Sequence, residues 1–146
     1  MKLSTKSTYG LRAMLNLALN EGPGAMSITD IAKKEDISTA YLEQLLNKLR
    51  RSGLIKSIRG PKGGYMLSRD STDITVADIV KTLEGSIYPV HCATTGADEI
   101  SCKKGKSCVP KLVWHKLAKA INDCLESVTL EDLCDEAAKI SSERLA

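Results

Sequence analysis

No apolar run in this chain approaches the roughly 20 residues that a bilayer crossing needs. The opening MKLSTKSTYG also lacks the apolar stretch of a secretion signal, so a cytoplasmic location is expected and a membrane partner is not. There is no carboxylate pair, no serine beside a base, and no phosphate-cradling glycine loop between a strand and a helix, which argues against an enzyme and against a small-molecule substrate. Internal repeats and low-complexity segments are absent too. With 146 residues, 42% of them hydrophobic, the chain has material for one domain of ordinary size and an appended element. A second, enzyme-sized domain does not fit.

What is present is charge, unevenly placed. The net charge of +3 conceals 12 Lys and Arg against 5 Asp and Glu up to Arg69, and 9 against 13 from Asp70 onward, hence +7 and −4. A basic half suits a polyanion and an acidic half a different task, although a solvated basic face on an ordinary domain would give the same count.

The stretch from Ile37 to Leu67 gives that charge a use. Leu42, Leu45, Leu46 and Leu49 recur at helical spacing, with Ser38 placed to cap the start and Gly53 to stop the end. Such a helix spans about 22 Å. Its other face carries Tyr41, Glu43, Gln44, Asn47, Lys48 and Arg51, donors, acceptors and cations suited to a major groove. Leu54 to Ile58 and Tyr65 to Leu67 then read as short strands joined by the basic turn Arg59-Gly60-Pro61-Lys62-Gly63-Gly64. Upstream, Leu11, Met14, Leu15, Ala18 and Leu19 mark a helix from Thr8 to Asn20, and Ser27-Ile28-Thr29-Asp30 reads as a capping box opening a short helix through Lys34. Two short helices joined by Glu35-Asp36-Ile37 form a helix-turn-helix or, taken alone, a plain helical hairpin; the wing-like strands and the basic half favour nucleic-acid binding.

Downstream, Thr75-Val76-Ala77-Asp78 is another capping signature, with Val76, Ile79, Val80 and Leu83 on one face and Gly85 at the end. From Ser86 to Ser107 periodicity disappears, and Cys92, Cys102 and Cys108 lie in or at the edge of this polar loop. From Pro110, the residues Val113, Leu117, Ala120, Ile121, Cys124, Leu125 and Val128 trace the stripe of a long helix, and Thr129-Leu130-Glu131-Asp132 opens a last one. That stripe exceeds what one small neighbour can cover, so pairing with a second copy is expected, with burial against the chain's own winged domain as the alternative. The fold class is therefore mainly α: a winged helix-turn-helix with a β-hairpin wing at 1–85, a cysteine-bearing loop at 86–109, and a long dimerisation helix with a C-terminal helix at 110–146.

Five cysteines without an export signal do not suggest a disulfide framework, which would leave one unpaired. Cys124 and Cys134 fall on apolar helix faces and read as small hydrophobes. Cys92, Cys102 and Cys108 have Lys103, Lys104 and Lys106 beside them, which favours thiolates and so metal binding. Gaps of nine and five residues are unlike the close pairs of a zinc finger, while an iron-sulfur cluster tolerates loop-borne thiolates at varied spacing. A thiol-bearing loop that binds nothing fits the spacing equally well.

The segments LSTKSTYGLRAMLNLA, YLEQLLNKLRRSGLI and SIRGPKGGY, with LVWHKL further on, resemble the IscR family of bacterial winged-helix regulators over nearly the whole chain. The resemblance implies a homodimer on a palindromic double-stranded promoter site upstream of iron-sulfur assembly genes, with a cluster, expected to be 2Fe-2S, held by Cys92, Cys102 and Cys108. It implies that Ser38, Tyr41, Glu43 and Gln44 face bases and backbone from the head of the recognition helix while Arg59 reaches from the wing. Arg59 could give guanine a bidentate contact, Gln44 could pair with adenine, and Glu43 could accept from cytosine or exclude other sites. Lys6, Tyr9, Arg51 and Lys62 would hold phosphates.

Two departures stand out. In better-known members the first two cysteines are closer together, and a histidine follows the third by three residues as fourth ligand; here Lys111 takes that place. His115 one turn further along, His91 beside Cys92, or a residue of the partner subunit could replace it. The departure keeps two relatives of the same fold open, a cluster-free repressor of cysteine metabolism controlled by a protein partner and a nitric-oxide-sensing iron-sulfur repressor. A protein-interaction adaptor is the competing class. Under the cluster reading, ligation orders the loop and the start of the long helix and so sets the spacing of two recognition helices, which a two-fold site needs at about 34 Å.

Overall fold

In a computed structural model, residues 3–89 and 107–145 are described, and among them six helices and one antiparallel hairpin follow one another. α1 (Thr5–Leu19) starts three residues before the expected Thr8, because Ser4 caps it: the Ser4 hydroxyl accepts from the Lys6 N–H at 3.2 Å. α2 (Ile28–Glu35) is capped by Ser27, whose hydroxyl accepts from the Asp30 N–H at 3.2 Å. It ends on Asp36 in the left-handed conformation, φ 52°, and the chain folds back so that the Ile37 N–H reaches the Ala32 carbonyl at 3.1 Å. α3 (Thr39–Arg51) follows at once, so the two helices and their tight turn are a helix-turn-helix.

The sequence contains no phenylalanine, and the core is aliphatic. Met14, Leu17 of α1, Ile31 of α2, and Leu42, Leu45, Leu46 and Leu49 of α3 are all at most 2% exposed. Each such side chain contributes about 1.5–3 kcal/mol by leaving water. β1 (Ile55–Ile58) pairs with β2 (Gly64–Leu67), Ile55 opposite Leu67 and Ile58 opposite Gly64. Leu54, expected in the first strand, lies just outside it but buried, and Gly64, expected in the turn, belongs to the second. The reason is close packing. Met26 and Tyr65 exchange backbone hydrogen bonds at 2.9 and 2.8 Å, and a Cβ on Gly64 would come within 2.2 Å of the Met26 carbonyl oxygen. The wing is thereby fastened to the strand-like residue that precedes α2.

α4 (Val76–Glu84) opens on a complete capping box: the Thr75 N–H donates to Asp78 at 3.0 Å and the Asp78 N–H to Thr75 at 3.1 Å. α5 (Lys111–Glu126) and α6 (Leu130–Leu145) complete the chain, and Thr129 and Asp132 form a second reciprocal pair at 2.9 and 3.2 Å. The two capped starts lie side by side, the Val76 N–H donating to the Val128 carbonyl at 2.8 Å and the Leu130 N–H to Ile74 at 2.9 Å. Ile121 and Leu125 of α5, with Val128 just beyond its end, pack onto Val76, Val80 and Ile87.

Among the described residues, nothing covers the rest of the α5 stripe. Only Ala118 of α5 is buried, while Val113 and Leu117, with Leu112 and Trp114, stand in solvent. Nine residues of α4 extend about 14 Å and sixteen of α5 about 24 Å, so α4 cannot reach along all of it. Cys124 is exposed, whereas Cys134 is half-buried against the main core as a small hydrophobe, its thiol pushed up by burial and then by Glu131, Glu21 and Asp135. Among the described residues no helix is long and apolar enough to cross a membrane.

Candidate nucleic-acid interface

The head of α3 meets the first turns of α1, and the two bring together residues expected at DNA. The Ser38 hydroxyl caps α3 by accepting from the Tyr41 N–H at 3.1 Å, so its oxygen is already engaged. Tyr41 is half-buried, its ring edge-on to that of Tyr9 with centroids 6.1 Å apart and planes at 87°. The Tyr41 hydroxyl shares a hydrogen bond with the Thr5 hydroxyl at 3.1 Å. Lys6 is exposed on the same turn of α1. Glu43 and Gln44 are exposed on α3, free to reach a base edge while the leucines behind them hold the helix.

Arg51 is not at this focus. It lies on the Gln44 side of α3 two turns on, roughly 10 Å further along the axis. With Lys48 and Arg50 it makes the last turn of α3 basic, which suits phosphates and the helix C-terminus alike. Arg59 and Lys62 are exposed in the connection between the wing strands.

Two residues at this surface carried no expectation. Thr5 bonds Tyr41, and Arg12 sits 5.7 Å over the Tyr9 ring while pairing with Glu35 at 3.8 Å. Thr5, Tyr9 and Arg12 follow helical spacing, the signal that could have found them, but it shows only once the helix is started at Thr5 rather than Thr8.

Of the cysteines expected to hold a cluster, Cys92 and Cys102 lie outside the described residues, as does His91. Cys108 is half-buried just ahead of α5, its carbonyl accepting from the Lys111 N–H at 3.3 Å. Lys111 is the first residue of α5, and His115 is exposed one turn along. Among the described residues no three His, Cys, Asp or Glu side chains gather in a metal-holding group. In donor chemistry the three thiols fit an iron-sulfur cluster, which is held by cysteine thiolates. Lys111 supplies no fourth donor of that kind in its usual cationic form.

A helix-turn-helix with a basic wing and a polar-faced recognition helix defines a DNA-binding protein of the winged-helix class. The chain belongs to the Rrf2 family, iron-dependent transcriptional regulators, whose model matches residues 3–136. It is 35% identical over 133 residues to the transcriptional regulator IscR of Klebsiella pneumoniae, covering 91% of this chain and 79% of that protein. Among solved structures it is similar to T. potens IscR, at TM-score 0.75 and 41% identity, covering 94% of this chain and 88% of that one. It is equally similar in fold to CymR, the global cysteine regulator of B. subtilis, at TM-score 0.75 and 39% identity, covering 93% and 98%. The protein is thus a DNA-binding transcriptional regulator of the Rrf2 family and not an enzyme.

Proposed function

We propose that this regulator acts as a homodimer on a palindromic promoter site of iron-sulfur assembly genes. In this reading an iron-sulfur cluster of 2Fe-2S type, held by Cys92, Cys102 and Cys108, sets its DNA affinity. Residues 1–85 read DNA, 86–109 carry the cluster and 110–146 pair the two copies. Ser38, Tyr41, Glu43, Gln44 and Arg59 contact bases and nearby backbone; Lys6, Tyr9, Arg51 and Lys62 hold phosphates.

The observation that carries the reading is the uncovered apolar row Leu112, Val113, Trp114 and Leu117 at the start of α5, immediately after Cys108. A helix that needs a second copy and begins beside a cluster ligand couples the ligand's state to the spacing of two recognition helices. The 39% identity to a cysteine regulator, together with Lys111 in the fourth-ligand place, favours a second reading: a cluster-free repressor of cysteine metabolism controlled by a protein partner.

Iron and acid-labile sulfide per chain, with an absorption spectrum and DNA affinity, separate the two in protein purified without oxygen. Equal iron and sulfide, lost in Cys92→Ala together with a change in DNA affinity, is the expected result. Iron-free protein that binds DNA tightly would contradict cluster control and leave the protein-partner reading.

A further inference from the structure

The DNA-facing end of α1 is held by a residue 80 positions away. Glu84, the last residue of α4, turns one carboxylate oxygen toward the first turn of α1, and three donors converge on it. The Ser4 N–H reaches it at 2.9 Å, the Ser4 hydroxyl at 2.5 Å and the Ser7 hydroxyl at 2.6 Å. Ser7 is buried, so water does not compete for its hydroxyl. These bonds from Ser4 and Ser7 hold the Glu84 carboxyl below the usual glutamate range, so at neutral pH the acceptor is charged. Hydrogen bonds to a charged acceptor are about twice as strong as neutral ones.

The other side of the same turn faces the candidate interface. Lys6 is exposed there, and Thr5 is bonded to Tyr41, whose ring packs on Tyr9. The turn is therefore clamped between Glu84 behind it and Tyr41 beside it. The remainder of α1 does not need this clamp, since Ala13, Met14, Leu17 and Ala18 seat it in the core.

We propose that Glu84 is a positioning residue for DNA binding: through Ser4 and Ser7 it fixes the first turn of α1, so that Lys6 and the Thr5–Tyr41 pair are in place before DNA arrives. The inference rests on the reading of Lys6 and Tyr41 as DNA contacts. Preorganisation of this kind raises affinity by removing the cost of ordering on binding. It also predicts a sign that charge alone does not. Removing an acid close to a DNA-binding face should strengthen binding to a polyanion, whereas loss of the clamp weakens it.

The test is a double-mutant cycle on a duplex selected in vitro for binding to the wild-type protein, with affinity measured across a salt series for wild type, Lys6→Ala, Glu84→Ala and the double variant. Glu84→Ala is expected to bind several-fold more weakly with its helical content kept and with a salt slope lower by about 1, the signature of one lost phosphate contact. Lys6→Ala should then cost little more in the Glu84→Ala background. Glu84→Gln keeps an acceptor oxygen without the charge and should fall between the two, which preserves the test if the alanine variant folds poorly. Binding by Glu84→Ala or Glu84→Gln as tight as wild type or tighter, or a full Lys6→Ala effect in the Glu84→Ala background, would overturn the inference alone. A Lys6→Ala change without effect in wild type would instead remove the site reading beneath it, and the inference with it.

Discussion

α3 and α5 are amphipathic helices of similar length with opposite fates. α3 seats Leu42, Leu45, Leu46 and Leu49 at no more than 2% exposure and turns a polar face outward. α5 carries more large apolar residues, yet buries Ala118 alone and leaves Leu112, Val113, Trp114 and Leu117 open. Apolar spacing tells how much surface a helix must hide; it does not tell which chain hides it. Among the described residues, the half around α3 is closed by its own side chains, and the half around α5 leaves apolar side chains in solvent.

The sharpest break in this comparison comes from equal truncations on the two helices. Leu46→Ala, at a fully buried position, is expected to cost about 2–5 kcal/mol, read as a fall in the urea midpoint. In a single chain Leu117→Ala should stay within about 0.5 kcal/mol, because 41% of its surface remains in water there. Leu117→Asp should accordingly convert a dimer into a folded monomer by sedimentation. An unchanged dimer would place the pairing surface elsewhere.

Gly64→Ala should come next. Its Cβ would press on the Met26 carbonyl, and the strain of about 1–3 kcal/mol is relieved by lifting the wing away from the segment before α2. DNA affinity is expected to drop with little change in far-ultraviolet dichroism. Arg59→Ala should leave the thermal midpoint unmoved and cost about 1–3 kcal/mol of binding if the side chain reads a base, with specificity relaxed at that one position. A uniform loss across sequences would make it a phosphate contact instead.

Glu84 gives a smaller, pH-dependent effect. Its carboxyl is held below its usual range by the Ser4 and Ser7 bonds, so its contribution to stability is full at neutral pH and is lost as pH falls through that lowered value. Glu84→Gln should therefore flatten the acid limb of a urea-midpoint profile. Smallest of all, the exposed Cys124 should alkylate faster than Cys134, whose thiol is pushed up chiefly by burial, when both are followed in the monomeric Leu117→Asp variant.

Much of the winged half was legible because its signals are local. The leucines of α3, the caps at Ser27, Ser38 and Thr75, and the glycine-bearing turn between the strands each act within a few residues, as does the Thr129 cap outside that half. What escaped is held at long range. The Ser4 cap that starts α1 at Thr5 is local, but Ser4 itself is held by Glu84, 80 residues on, and no spacing rule connects those two. Gly64 belongs to the second strand because Met26 pairs with Tyr65. The Tyr9–Tyr41 contact needs two helices packed before it exists, although Tyr41 was expected on the polar face of α3 and Tyr9 among the phosphate contacts. That the α5 stripe exceeds one neighbour was legible from its length; which part of it α4 and Ile87 cover was not, since they lie across an intervening segment.

The central claim is that two copies of the α3 face read one DNA site together. The most direct test is hydroxyl-radical footprinting of the wild-type protein on a duplex selected in vitro, alongside the Leu117→Asp variant. Two symmetric protected patches about 34 Å apart, reduced to weak or single-sided protection in the variant, is the predicted result. One asymmetric patch, identical for wild type and variant, would contradict the account.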